Sequence, residues 1–292
     1  MSGRLGIVGT GLIGASLGLA ARAAGRRVTG WDADPAHLEV ALQRGALDET
    51  AASLEALLAQ ADALAIALPL PATVALVRRL AADPPPATLA IDVASLKAPV
   101  VEAAAGWPAF VATHPIAGSA HRGPAAADAA IFRGRSWTYE PAAAEPARAA
   151  AVALIAATGA RPVPVAAAEH DRIIALTSHL PQMLAVALAA RVDADLSQPE
   201  TAALCGPGLA SMTRLGGSSW SMWSGILAQN GHAIAQEVRS LAHILNEAAE
   251  ALEAGNASSL ERWFATAARA AARLQEPPAV EQSDQSRSSG ED

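Results

Sequence analysis

The chain has little of what many protein chemistries depend on. Cysteine occurs once in 292 residues, at Cys205. No intrachain disulfide can form, and a lone cysteine reads as a small core side chain rather than a nucleophile. Charged residues are 17% of the total, Lys and Arg never run longer than two, and the formal net charge is −7. Such a chain presents no basic face to nucleic acid or to an anionic membrane, so any cation that matters is a single, placed residue. The N-terminus lacks the succession of charged segment, apolar stretch and cleavage site, and no secretory signal is expected. The apolar run 11–24 is broken by glycine and serine and closes on Arg22 and Arg26, too short to cross a bilayer. A cytoplasmic location without membrane contact is the expectation. No internal repeat is visible, and no metal site is expected.

What is present is apolar bulk in a segmented pattern. At 52% hydrophobic, the chain can form a sizeable core and two domains. Residues 4–8 read as a short strand. Gly9-Thr10-Gly11-Leu12-Ile13-Gly14 follows, then helical sequence, then a second strand at 27–32 ending in Asp32. Strand, G-x-G-x-x-G, helix and terminal acid in that order form a dinucleotide-binding fingerprint. Gly9 permits the tight turn, Gly11 lets backbone approach a pyrophosphate, and Gly14 lets helix pack on strand. Leu12 and Ile13 complete the cofactor loop, where the free N–H groups of the helix face the phosphates. Asp32 is placed for the ribose hydroxyls and repels a 2′-phosphate, which favours NAD over NADP. Asp34, before Pro35, caps the helix at 36–44 and leaves Asp32 for the ribose.

The alternation continues with a helix at 53–60, a strand at 63–68, a helix at 72–81 and strands at 88–93 and 109–113. Leu68 and Pro69 close the strand at 63–68 where the cofactor crevice of such a sheet lies. The next two strands lead into Ser95 and His114, which should be neighbours at the nicotinamide end. A helix at 145–158 and a strand at 161–165 complete this part. The fold expected is α/β: a doubly wound Rossmann sheet over 1–166, an all-helical dimerisation domain over 167–275, and a disordered tail over 276–292.

In the helical part, 168–191 carries His179 and Gln182 three apart on one face, with Pro181 expected to kink the helix between them. Residues 206–217 read as a flexible stretch holding one cation, Arg214. Trp220 and Trp223 read as helix-packing residues. Ile234, Val238, Leu241, Leu245, Ala248 and Leu252 form a coiled-coil-like seam, to be buried within the subunit or against a second one. Ser258-x-x-Glu261 reads as a capping box.

One segment carries chemistry beyond cofactor binding. Thr113-His114-Pro115-Ile116-Ala117-Gly118-Ser119, followed by Arg133-Gly134-Arg135, puts an acid–base group just after the last strand of a dinucleotide domain. Further blocks stand at Gly9 to Ser16, at Asp92-Val93-Ala94-Ser95-Leu96-Lys97 and at Phe132 to Arg135. Others are His170-Asp171, Ser178-His179-Leu180-Pro181, Met212-Thr213-Arg214 and Met222-Trp223. With these, residues from about 4 to 270 resemble the prephenate/arogenate dehydrogenase family of tyrosine biosynthesis.

The resemblance implies NAD-dependent oxidation of a cyclohexadienol at C4 with loss of CO₂. It implies His114 as the base, Ser95 beside it on the substrate hydroxyl or at the nicotinamide end, and Arg214 on a substrate carboxylate. His179, Gln182 and Ser119 would line the pocket, and the protein would be a homodimer. Many family members have histidine where Gln182 stands and aspartate where Ser211 stands. With no carboxylate at either position to pair an ammonium, prephenate is favoured over arogenate. A 3-hydroxy acid dehydrogenase, an imine-reductase-like enzyme or a non-catalytic NAD(H) sensor would share the glycine loop. None of these is expected to carry the His114 and Ser178 blocks.

Overall fold

The first half of the chain alternates short strands and helices. In the computed structural model, which describes residues 3–119 and 121–275, these are β1 (Arg4–Val8), α1 (Leu12–Ala23), β2 (Arg27–Trp31), α2 (Pro35–Gln43) and β3 (Glu49–Thr50). There follow α3 (Leu54–Leu58), β4 (Ala63–Ile66), α4 (Leu70–Ala82), β5 (Leu89–Asp92), α5 (Ala98–Ala103) and β6 (Phe110–Val111). The six strands form one parallel sheet in the order β3-β2-β1-β4-β5-β6. This is the order of the doubly wound dinucleotide fold.

Strand residues alternate between two cores. Leu5, Ile7, Ala63, Ala65, Leu89 and Ile91 pack with Leu17 of α1. Val8, Leu64, Ile66 and Ala90 pack with Val77 of α4 and Val100 of α5. A parallel sheet covered on both faces needs apolar side chains at every strand position, which explains the near-continuous apolar runs.

The strand read at 109–113 is two strands in two sheets. The chain leaves the parallel sheet at Ala112 and begins β7 (Thr113–Pro115), which pairs antiparallel with β8 (Ser136–Tyr139). β8 in turn pairs parallel with β9 (Arg161–Pro164), reached through α6 (Ala147–Ala157). β8 was not anticipated: it is four residues long and emerges from a loop, so it offers no periodicity to read.

The helix expected over 168–191 is α7 (Ala167–Ile174), a π-helical turn Ala175–His179 and α8 (Leu180–Asp193). Pro181 has no N–H to continue the α ladder. The adjustment there is a widened turn just before it, a common way to absorb such a break. Residues 167–193 are long and apolar enough to cross a membrane by composition. Yet they carry His170, Asp171, His179 and Gln182, all buried and hydrogen-bonded within the protein.

The stretch expected to be flexible at 206–217 is helix and turn. α9 (Pro199–Ala203) and α10 (Pro207–Thr213) are followed by the 3₁₀ turn Arg214–Gly217. Cys205 lies between α9 and α10 and is exposed, which overturns its reading as a core residue. Neither flanking helix contributes a buried side chain.

Compactness divides the chain between Glu237 and Val238, inside the long helix α11 (Trp220–Glu253). The second unit, taken by itself, holds the end of α11 and α12 (Ala257–Gln275). α12 is capped by Asn256, whose side chain accepts from Ser259 N at 3.1 Å, rather than by the Ser258 box. The seam residues Val238, Leu245 and Leu252 are exposed, as are Trp263 and Phe264. The tail read at 276–292 lies outside the described residues.

Candidate active site

The glycine loop between β1 and α1 has the geometry its sequence implies. Gly9 takes φ +91°, and a Cβ on Gly14 would lie 1.9 Å from the Gly9 carbonyl oxygen, so neither position admits a side chain. A Cβ on Gly11 would meet nothing within 4 Å. The second glycine therefore borders open space at the start of α1, where no side chain caps the helix. That combination fits a dinucleotide pyrophosphate at the free N–H groups of α1.

Asp32, at the end of β2, accepts from Thr10 N at 2.7 Å and from Asp34 N at 2.9 Å. Both oxygens are held, with lone pairs left for ribose hydroxyls. Asp34 accepts from Ala36 N and caps α2, as expected. Leu68 and Pro69 form the bend into α4, with Thr73 Oγ1 donating to the Leu68 carbonyl at 2.9 Å.

The edges carrying Ser95 and His114 are tied together beneath the surface. Asp92, the last residue of β5, accepts from Thr113 N at 3.0 Å, and Trp137 of β8 donates to Thr113 Oγ1 at 3.0 Å. Lys97 is the chain's one lysine and is 2% exposed. Its Nζ donates to Asp92 Oδ2 and, at 2.6 Å, to the Thr113 carbonyl. Burial pushes the Lys97 ammonium down and the Asp92 carboxyl up, while each charge opposes the other's shift. Lys97 is thus committed to a local ion pair. Ser95, half-buried on the β5–α5 loop, leaves from the same edge as His114.

Two residues left without a role in the sequence reading stand behind His114. Its Nδ1 lies 3.0 Å from His170 Nε2, and His170 Nδ1 lies 2.7 Å from Asp171 Oδ1. The Asp171 carboxylate also accepts from Lys97 N at 2.7 Å and from Ala98 N at 2.9 Å, while its carbonyl accepts from Asn230 Nδ2 at 3.0 Å. The chain His114–His170–Asp171 joins residues 56 positions apart. The sequence signal was the His170-Asp171 block, which counted toward the family resemblance without being given a role. Burial, aided by the charge of Lys97 and by the neighbouring His170 and His179, holds the His114 imidazole well below the usual histidine value.

His114 opens on a cleft of about 660 Å³. The loop Pro115 to Gly118, Ala130, Ile131, Arg133, Arg135, Ile174, Thr177 and Ser178 form its remaining walls. His179 and Gln182 are buried next to these walls and are not part of them. His179 Nδ1 lies 3.4 Å from Asn230 Nδ2, with the Trp223 ring edge-on at 5.5 Å. Burial lowers the His179 pKa to about 4. Trp223 packs as expected, whereas Trp220 is exposed. Gln182 donates to the Leu215 carbonyl at 2.8 Å and accepts from Ser218 Oγ at 3.3 Å, pinning the turn that carries Arg214. Arg214 is exposed, is not among the residues lining the cleft and makes no ion pair among the described residues. Ser119, beside Gly118, accepts from His121 N at 3.1 Å.

A doubly wound sheet with an open glycine loop, and a neutral histidine beside its carboxyl edge, defines a dinucleotide-dependent dehydrogenase. Residues 17–163 match the nucleotide-binding domain of prephenate dehydrogenase, and residues 166–266 match its dimerization domain. The chain belongs to the prephenate/arogenate dehydrogenase family, NAD-dependent oxidoreductases. It is 33% identical over 264 residues to the protein of Streptomyces niveus named probable prephenate dehydrogenase NovF, covering 84% of this chain and 68% of that one. It shares its fold with the Aquifex aeolicus prephenate dehydrogenase solved with hydroxyphenyl propionate and NAD+, at TM-score 0.85 and 22% identity over 93% of this chain and 98% of that one. The Synechocystis arogenate dehydrogenase has the same fold at TM-score 0.79 and 24% identity, over 93% and 99% of the two chains.

Proposed function

We propose that the protein oxidises prephenate to 4-hydroxyphenylpyruvate with release of CO₂. The observation that carries this reading is the buried chain Asp171–His170–His114 opening on a cleft whose charged lining residues are cationic. A carboxylate cannot donate, so His170 keeps its proton on Nδ1, toward Asp171. In that tautomer His170 offers Nε2 as an acceptor, and His114 donates through its own Nδ1–H. That leaves the Nε2 lone pair of His114 free for a substrate proton.

The glycine loop and Asp32 would hold NAD, which would supply the acceptor for the C4 hydride. His114 takes the proton of the C4 hydroxyl as that carbon becomes a carbonyl, with Ser95 donating to the same oxygen. The C1–CO₂ bond then breaks, its electrons enter the ring, and the oxygen at C4 becomes a phenolate. His114 returns the proton there, so the base ends as it began. Gln182 holds the Arg214 turn, and Arg214 takes a substrate carboxylate through its planar guanidinium. Ser119 extends the loop beside that substrate, and His179 supports the cluster from behind. An arogenate ammonium would want an acid, and none lines the cleft.

The exposed apolar side chains of the second unit fit a homodimer, and the acidic chain fits a cytoplasmic enzyme with no nucleic-acid or membrane partner. The deciding experiment is NADH formation with prephenate and with arogenate, repeated with NADP. Prephenate with NAD should be preferred, and a preference for arogenate would reverse the substrate assignment. For Arg214→Ala, KM for the ring substrate should rise about 10–100-fold with kcat little changed, the mark of a lost charged contact made equally in ground and transition states. An unchanged KM with a lowered melting temperature would make Arg214 structural.

A further inference from the structure

Prephenate carries two carboxylates, and Arg214 is one cation. We infer that Arg133 and Arg135 form a second anion site, at the wall of the His114 cleft, which takes the side-chain carboxylate of the ring substrate. This assignment rests on the ring-substrate reading above.

Both arginines line the cleft with His114, and no Asp or Glu does. Neither guanidinium makes an ion pair or a side-chain hydrogen bond among the described residues. Elsewhere in this unit Arg122 donates to Ser219, Arg148 pairs with Glu145 and Arg172 with Glu169, while Arg214, like Arg133 and Arg135, makes no ion pair among the described residues. In a chain of net charge −7, two cations two residues apart on one cleft wall, with no ion pair among the described residues, concentrate positive charge there.

The turn that presents them is rigid. Arg133 N donates to the Ala130 carbonyl at 3.0 Å, Gly134 N to the Gly159 carbonyl at 2.8 Å, and Arg135 N to the Phe132 carbonyl at 3.0 Å. The Arg135 carbonyl accepts from Arg161 N at 2.8 Å. Gly134 takes φ +67°, a conformation that a side chain would strain. On either side, the buried rings of Phe132 and Trp137 pack at 4.9 Å. The backbone is therefore fixed before a ligand arrives, and only the side chains remain to be ordered. Preorganisation of that kind raises affinity by lowering the ordering cost.

The register sets the reach. His114 pairs with Thr138, and Arg135 lies three residues before Thr138 on the same segment. At about 3.3 Å per residue this is roughly 10 Å along the strand, a span that a six-membered ring with its substituents and an arginine side chain can bridge. Planar guanidinium groups match carboxylates through two parallel N–H donors.

The test is calorimetric binding of 4-hydroxyphenylpropionate in the presence of NAD, to the unaltered protein and to Arg133→Gln, Arg135→Gln and the double variant. Each single change should weaken binding about tenfold and the double change about 100-fold. The uncharged 4-hydroxyphenylpropionamide should bind all four proteins alike, and NAD affinity should not change, which also reports correct folding. If the unaltered protein oxidises prephenate and the variants bind the carboxylate probe within twofold of it, the two arginines are surface residues and this inference falls alone. If the unaltered protein neither oxidises prephenate nor binds the probe, the ring-substrate reading falls and takes the inference with it.

Discussion

Replacing His114 by Asn should lower kcat by roughly 10²–10⁴, the usual contribution of a placed general base, and leave NAD affinity unchanged. Asn keeps a donor toward His170 Nε2 but has no basic lone pair for the substrate. The pH profile of the unaltered enzyme should agree. A base works in its neutral form, and burial holds His114 well below the ordinary histidine value of 6.5. Activity should therefore stay level through neutral pH and fall only as the pH drops through that lowered value. A kcat loss under tenfold, or an acid limb at or above 6.5 assigned to this group, would remove His114 from the reaction.

Replacing Lys97 by Met should destabilise the first unit by about 3–5 kcal/mol, the range for a buried charge left without its partner. The side chains of Lys97 and Asp92 are 3% and 0% exposed, so water cannot stand in for the lost ammonium. The Thr113 carbonyl would lose its donor as well. Thermal denaturation should show the midpoint falling by about 10 °C, at a few degrees per kcal/mol. Lys97→Met/Asp92→Asn should recover part of the loss. The same substitution removes one of the charges that hold the His114 pKa down, so the acid limb of activity should move to higher pH. A midpoint within 2 °C of the unaltered protein would mean that the pair is not the clasp it resembles; the 2 °C criterion is set from the same scaling, about 2–4 °C per kcal/mol.

The parts legible in the sequence are those fixed by local constraint. Gly9 and Gly14 are required by backbone angle and by sub-van-der-Waals approach, both consequences of a few consecutive residues. Asp34 and Pro35 announce a helix start by themselves. The sheet change at Ala112 was not legible, because Phe110 to Thr113 reads as one apolar strand whichever sheet receives it. The Asn256 cap was displaced by a nearby Ser258 box that satisfies the same pattern. His170 and Asp171 could be read as a pair on a helix, but their relation to His114 depends on where α7 packs, and no spacing rule reports that. His179 and Gln182 were expected on one face lining the pocket; in the structure they are buried and held by Asn230 and Leu215.

The break at Ala112 separates two tasks that a single strand would have coupled. The glycine loop and Asp32 belong to the six-stranded sheet, whereas His114 rides on a three-residue strand whose register is set by β8. A substitution in Ser136–Tyr139 therefore acts first on the strand that carries His114 and not on the glycine loop. Cofactor binding and the placement of His114 thus rest on two sheets, joined where Asp92 and Lys97 hold Thr113.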